Sequence, residues 1–144
     1  MDFENTVTYL LAKLSLAHRN LFERAAVGAG LHSGQAFVLL ELWREDGQRQ
    51  IDLAAMTSID VSTLSRVVTR LVRMGLVTRT RSATNSREVV VRLTGKGTAS
   101  LARMIPRAIA AERRAIAGVP ARDLAVVRRS LRRMYANLAG PSAG

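Results

Sequence analysis

The sequence predicts a mainly α fold with a small β-hairpin, and three observations carry that prediction. Long stretches place apolar residues at helical spacing, while Leu76 to Leu93 switches to a period of two. Capping and turn residues stand at the junctions between these stretches. At 144 residues the chain is one domain, or one small domain with oligomerisation helices, and it can bury a core without covalent staples. Its 48% hydrophobic and 23% charged content excludes wholesale disorder and fibrous classes.

Residues 3 to 27 read as one long helix, with Phe3, Val7, Leu10, Leu11, Leu14, Ala17, Leu21, Phe22 and Ala25 on a wide stripe. Tyr9, Leu16 and Val27 lie well round from that stripe, so this helix is expected to pack both on its own domain and on a second subunit. Gly28-Ala29-Gly30 breaks the pattern, and Ser33 is placed to cap a second helix running through Val38, Leu39, Leu42 and Trp43. Residues 46 to 50 read as a turn. Asp52 to Met56 form a short third helix, and Ser58-Ile59-Asp60 connects tightly to the next element.

From Val61 to Met74 the helical projection separates into two arcs. Val61, Leu64, Val67, Val68, Leu71, Val72 and Met74 occupy one; Ser62, Thr63, Ser65, Arg66, Thr69, Arg70 and Arg73 occupy the other. Asp60 is placed to cap this helix, and Gly75 to end it in the left-handed region. Leu76 to Arg81 and Glu88 to Leu93 are β-like runs joined by the turn-rich residues 82 to 86, a hairpin bearing Arg79, Arg81, Arg87 and Arg92. Thr94 caps a fifth helix that continues to about Ala117, with a kink expected at Pro106 because proline lacks the backbone donor. Val119-Pro120 opens a last helix whose seam is Leu124, Val127, Leu131, Met134 and Leu138.

Charge narrows the function classes. The net charge is +11, yet residues 1 to 60 hold five cations against eight acids and residues 61 to 144 hold seventeen against three, giving −3 and +14. The second half therefore meets a polyanion. With no cysteine there is no disulfide, thiolate nucleophile, thiol redox switch or Cys-type zinc site, and His18 and His32 stand alone, so neither a metal site nor a catalytic triad is expected. The eleven scattered acids supply no convergent constellation, and the chain is expected not to be an enzyme and to need no cofactor. No apolar run is long enough to span a membrane, and Met1-Asp2-Phe3-Glu4 does not open a signal peptide, so a cytoplasmic protein without a membrane partner is expected.

A short helix, a tight turn and a second helix exposing hydroxyls and three arginines is what a helix-turn-helix needs to enter a major groove. An arginine-tipped hairpin directly after it reads as a wing. Arginines on one amphipathic helix are usually a solvated face; it is their order, followed by the hairpin, that points to DNA. The fold expected is thus a winged helix-turn-helix over residues 31–97, flanked by N- and C-terminal dimerisation helices at 1–30 and 98–140, with a flexible tail at 141–144.

The sequence at this point resembles the MarR (multiple antibiotic resistance regulator) family of winged-helix transcription factors. Its matching segments are Leu31-His32-Ser33-Gly34-Gln35 with Val38-Leu39, Asp52-Leu53-Ala54, Ser62-Thr63-Leu64-Ser65-Arg66, Leu71 through Arg79, and Val91 through Gly97. The resemblance implies a homodimer joined by the terminal helices, a recognition helix in the major groove of each half-site of a pseudo-palindromic operator, a wing in the minor groove, and commonly a small aromatic or phenolic effector. It places DNA contacts at Ser62, Thr63, Ser65, Arg66, Thr69, Arg70 and Arg73, at the wing residue Arg87, and at Arg79 and Arg81 beside the groove. It makes Leu14, His18, Leu39 and Trp43 candidates for the effector pocket. The seam residues of the last helix, with Leu16, are expected at the dimer interface. Where the family's wing carries Asp-Arg-Arg, this chain reads Asn85-Ser86-Arg87, which removes the charge that would orient the arginine. Taken without the resemblance, His18 and Trp43 read as core or interface residues, and the arginine pairs at 113–114, 128–129 and 132–133 as solvated surface. The reading is a DNA-binding repressor; the alternative is a sequence-indifferent basic nucleic-acid packaging protein, for which the charge alone suffices.

Overall fold

The computed structural model describes residues 2–139, so the tail expected at 141–144 lies outside the described residues. A 3-10 turn over Phe3–Asn5 is followed by α1 (Val7–Gly28), α2 (Ser33–Arg44), β1 (Gln48–Arg49), α3 (Gln50–Thr57), α4 (Val61–Arg73), β2 (Val77–Arg81), β3 (Val89–Leu93), α5 (Gly95–Ala115) and α6 (Ala121–Ala139). The chain divides after Ala111 into two units.

The elements start and stop where local chemistry dictates. The first helix expected from residue 3 is broken at Thr6, whose extended backbone lets its hydroxyl accept from the Tyr9 N–H at 3.2 Å and makes it the cap of α1. Helix α2 begins at Ser33 itself, so His32 holds the cap position, and Gln35 Oε1 accepts from the His32 N–H at 3.0 Å. Gly75, at φ +73°, ends α4 as its position in the sequence indicates. Helix α5 runs unbroken through Pro106.

The hairpin is the larger part of a three-stranded antiparallel sheet ordered β1-β3-β2. Val77 pairs with Leu93 and Arg81 with Val89 across β2 and β3; on the other edge Gln48 pairs with Val91 and Arg49 with Val90. Strand β1 is two polar residues inside the stretch expected to be a turn. It has no apolar alternation of its own and forms because β3 offers a free edge.

One apolar core serves the first unit, joining α1 through its C-terminal residues Phe22, Ala25 and Ala26 to α2, α3, α4, the sheet and α5. Leu39, Leu42, Leu53, Leu64, Val68, Leu71, Val91, Leu101 and Met104 have no exposed surface; each such leucine or valine contributes roughly 1.5–3 kcal/mol by burial. Helix α4 inserts Leu64, Val68 and Leu71 into this core, which fixes its polar arc outward. Trp43, expected in the core, is 53% exposed.

In the second unit, α6 contains no buried residue. Leu124 and Met134 are half-buried, while Val127, Leu131 and Leu138 are exposed, Leu138 at 88%. Among the described residues no helix is long and apolar enough to cross a membrane.

Candidate nucleic-acid interface

The N-terminus of α4 is built by Asp60. Its extended backbone turns the chain into the helix, and Oδ1 accepts from the Thr63 N–H at 2.9 Å and the Ser62 hydroxyl at 2.7 Å. Hydrogen bonds from Thr63 and Ser62, with the charge of Arg66 adding, hold this carboxyl well below the usual carboxylate range. Ser62 is thereby oriented by the cap, and Arg66 Nη2 leans on Thr63 Oγ1 at 3.3 Å. Arg66, Arg70 and Arg73 are all exposed, and Arg70 and Arg73 make no side-chain hydrogen bond or ion pair among the described residues. An arginine left in that state keeps its whole fork of donors for a guanine edge or a phosphate.

Thr69 and Arg79 are placed differently. Thr69 is half-buried and donates its hydroxyl to the Ser65 carbonyl at 2.8 Å. From β2, Arg79 Nη2 donates to that same carbonyl at 2.8 Å and to Thr69 Oγ1 at 3.1 Å. Arg79 therefore ties the first wing strand to the middle of α4 and fixes the angle between them, with part of its fork used inside the domain. The other end of α4 is locked as tightly. Thr94 Oγ1 donates to the Gly75 carbonyl at 2.6 Å, and Lys96 Nζ donates to the Met74 carbonyl at 2.9 Å, where a cation complements the helix C-terminus.

The hairpin tip is a compact hydrogen-bonded turn. Asn85 Oδ1 accepts from the Arg87 N–H at 3.1 Å, an Asx-turn that a neutral side chain makes as well as an aspartate does. Arg81 Nη1 donates to the Ser86 carbonyl at 2.7 Å and braces the tip from the opposite strand. The Arg87 side chain is exposed with no partner among the described residues. Arg66, Arg70, Arg73 and Arg87 thus belong to one hydrogen-bonded framework of α4 and the hairpin. No group of three or more His, Asp or Glu side chains among the described residues is arranged to hold a metal ion.

Two features of the structure have little signal in the sequence. Arg49 bridges Asp52 and Glu88, a link across 39 positions in the chain. Phe37 of α2, 50% exposed, packs against Phe22 at 4.7 Å between ring centroids, and His18 lies stacked on Phe22 at 6.5 Å. Of the four residues considered for an effector pocket, half-buried His18 joins this aromatic group and Leu39 is sealed in the core. Leu14 and Trp43 are exposed.

Comparison with known proteins adds to this geometry. Residues 31–89 match the family model described as the MarR family. The HTH-type transcriptional repressor NicR of Pseudomonas putida is 32% identical over 105 residues, which cover 73% of this chain and 66% of NicR. The chain thus matches slightly less than two thirds of that relative's length. A MarR-family transcriptional regulator from Silicibacter pomeroyi aligns over 96% of this chain and 94% of its own, at 25% identity and a TM-score of 0.86. BpsR of Bordetella bronchiseptica, whose DNA binding is regulated by 6-hydroxynicotinic acid, aligns over 93% of this chain and 96% of its own, at 25% identity and a TM-score of 0.83.

Proposed function

Because this chain belongs to the MarR family of transcriptional regulators, with their winged-helix fold, we propose that it is a homodimeric repressor that binds a pseudo-palindromic operator in a sequence-specific way. The observation that carries this reading is the outward arc of α4. Leu64, Val68 and Leu71 anchor the opposite side in the core, so Arg66, Arg70 and Arg73 are presented outward. At least one of Arg66 and Arg70 reads a base beside the hydroxyls of Ser62, Thr63 and Ser65, while Arg73 holds phosphate. Thr69 and Arg79 set the helix against the wing, Arg81 supports the tip, and Arg87 enters the minor groove, where a guanidinium is drawn by concentrated negative potential.

The dimer is supported by apolar surface that one chain leaves uncovered: Leu16 on α1, and Val127, Leu131 and Leu138 on α6 with half-buried Leu124 and Met134 beside them. Replacing Leu131 and Leu138 with glutamate is expected to yield monomers or unfolded chain in sedimentation experiments. A well-folded wild-type monomer at micromolar concentration contradicts this part of the reading.

Release by a small aromatic acid is the regulatory half of the proposal. It is supported by the likeness to BpsR and by the aromatic group His18, Phe22 and Phe37, of which Phe37 is half exposed. The experiment that tests the function is selection of bound fragments from the source genome. The expected result is enrichment of one inverted repeat; enrichment following only fragment length supports the packaging alternative instead.

A further inference from the structure

We propose that Arg49 keeps the wing arginine Arg87 free for DNA by neutralising the carboxylate beside it in the chain, Glu88. The inference rests on the reading of the hairpin as a DNA-contacting wing.

Glu88 is the only acid between Val61 and Ala111, a stretch that otherwise carries ten cations. It sits directly after Arg87, at the base of the turn, and its own N–H donates to the Asn85 carbonyl at 2.9 Å. Left alone, such a carboxylate has two choices. It can pair with Arg87 and remove that cation from the binding surface, or it can stand bare where phosphate is to approach, which repels the duplex. The structure shows a third arrangement. Arg49 Nη1 donates to Glu88 Oε1 at 2.7 Å, while Nε and Nη2 grip the two oxygens of Asp52 at 2.7 and 3.0 Å. The bidentate grip is the strong geometry for a guanidinium, and it aims the remaining amino group across to Glu88 at the entry to β3.

Position makes the competition real. Arg49, Glu88 and Arg87 all line one cleft of about 330 Å³, whose apolar wall includes Ile51 and Val61. Val61 is the first residue of α4, so the cleft separates the start of the reading helix from the wing. Arg49 is held there by strand pairing, since it lies opposite Val90 in β3. With Asp52, Glu88 and Arg87 it forms a balanced set of two acids and two cations, in which Arg87 alone has no partner among the described residues. Asp52 also lies in the first turn of α3, where the helix dipole compensates part of its charge. Glu88 has no such second support. Where the family's wing would use an aspartate to orient the arginine, this chain relies on the Asx-turn for shape and on Arg49 for charge.

The test compares Arg49→Gln, Glu88→Gln, the double variant and Arg87→Ala, each confirmed as folded by circular dichroism, on the selected operator and on a scrambled duplex over a range of salt. Arg49→Gln is expected to weaken operator binding about tenfold and, like Arg87→Ala, to lower the salt slope by about one counterion. Glu88→Gln should bind at least as well as the wild type, and the double variant should return to within about twofold of it. Arg49→Lys, which keeps the charge and loses the fork, should preserve the salt slope and guards against a folding defect in the glutamine variant. The proposal is overturned if Glu88→Gln is as damaging as Arg49→Gln and the double variant is not rescued, because the pair is then a mechanical tether. It is overturned equally if Arg49→Gln and the double variant are weak to the same degree, because Arg49 then touches phosphate itself. If Arg87→Ala changes nothing while the wild type still prefers its operator, the wing role fails and this proposal with it, but the regulator reading stands. Loss of operator preference in the wild type is the separate failure of that reading.

Discussion

Alanine at both Arg66 and Arg70 is expected to bring operator affinity down to the level of random duplex. A base-reading arginine is worth about 1–3 kcal/mol, and a dimer presents each change in both half-sites. At the middle of that range, with one base-reading arginine in each protomer, the loss is about 4 kcal/mol, or on the order of 10³-fold in affinity. That is about the whole margin by which a specific site exceeds random DNA at its lower limit. The helix should survive the change, since alanine is the strongest helix former and both side chains are exposed. Arg73→Ala supplies the contrast, because removing a phosphate-binding cation near the C-terminus of α4 should weaken operator and random duplex alike. Equilibrium titration of both duplexes at one salt concentration reads both variants. Unchanged operator binding in the double variant removes α4 from the groove.

Gly97→Ala should be the most damaging single substitution for stability. Gly97 is buried in the first turns of α5, and a methyl group there would overlap the carbonyl oxygen of Leu76 and press on Leu93 Cδ2 at 3.2 Å. The obstruction is backbone, so no rotamer change relieves it. That carbonyl also accepts from the Thr94 N–H at 3.1 Å, which binds the start of β2 to the entry of α5. Alanine elsewhere in a helix gains about 1 kcal/mol over glycine; here the clash should reverse the sign and cost about 3 kcal/mol. Gly95, which has nothing within 4 Å of the same position, is the control and should accept alanine without loss. Thermal unfolding at matched protomer concentration should place Gly97→Ala on the order of 10 °C below the wild type. Equal melting of the two alanine variants contradicts the close packing of α5 on β2.

Helix α4 is the most legible element, and the physical reason lies in its surroundings. Helix α4 has one face in the core and one in solvent, so its two arcs separate cleanly, and Asp60 and Gly75 mark its ends. Strand β1 is illegible because pairing there depends on the free edge of β3 and involves only Gln48 and Arg49. The half-buried run Val89-Val90, ahead of buried Val91, is the trace of a strand flanked on both sides. Trp43 shows a different limit. A large aromatic side chain on an amphipathic helix reads as core, but composition cannot separate the core of one chain from a face left for a ligand or a second subunit. Arg79 and Arg49 show why site residues are harder to read than elements. The sequence sets Arg79 beside the groove and leaves Arg49 inside a turn, and only the fold shows that one braces α4 and the other holds carboxylates of α3 and of the wing turn. Interactions between residues distant in the chain leave no periodicity to detect.

The most direct test of the account is the ratio of affinities for the selected operator and a scrambled duplex of equal length and composition, measured at a single near-physiological salt concentration. Fixing the salt matters because a chain of net charge +11 will bind any duplex when counterions are scarce. A dimeric winged-helix regulator reading bases through α4 should prefer its operator by ~10³-fold or more. A ratio near one would mean that the basic half of the chain binds phosphate without regard to sequence, and would contradict the account.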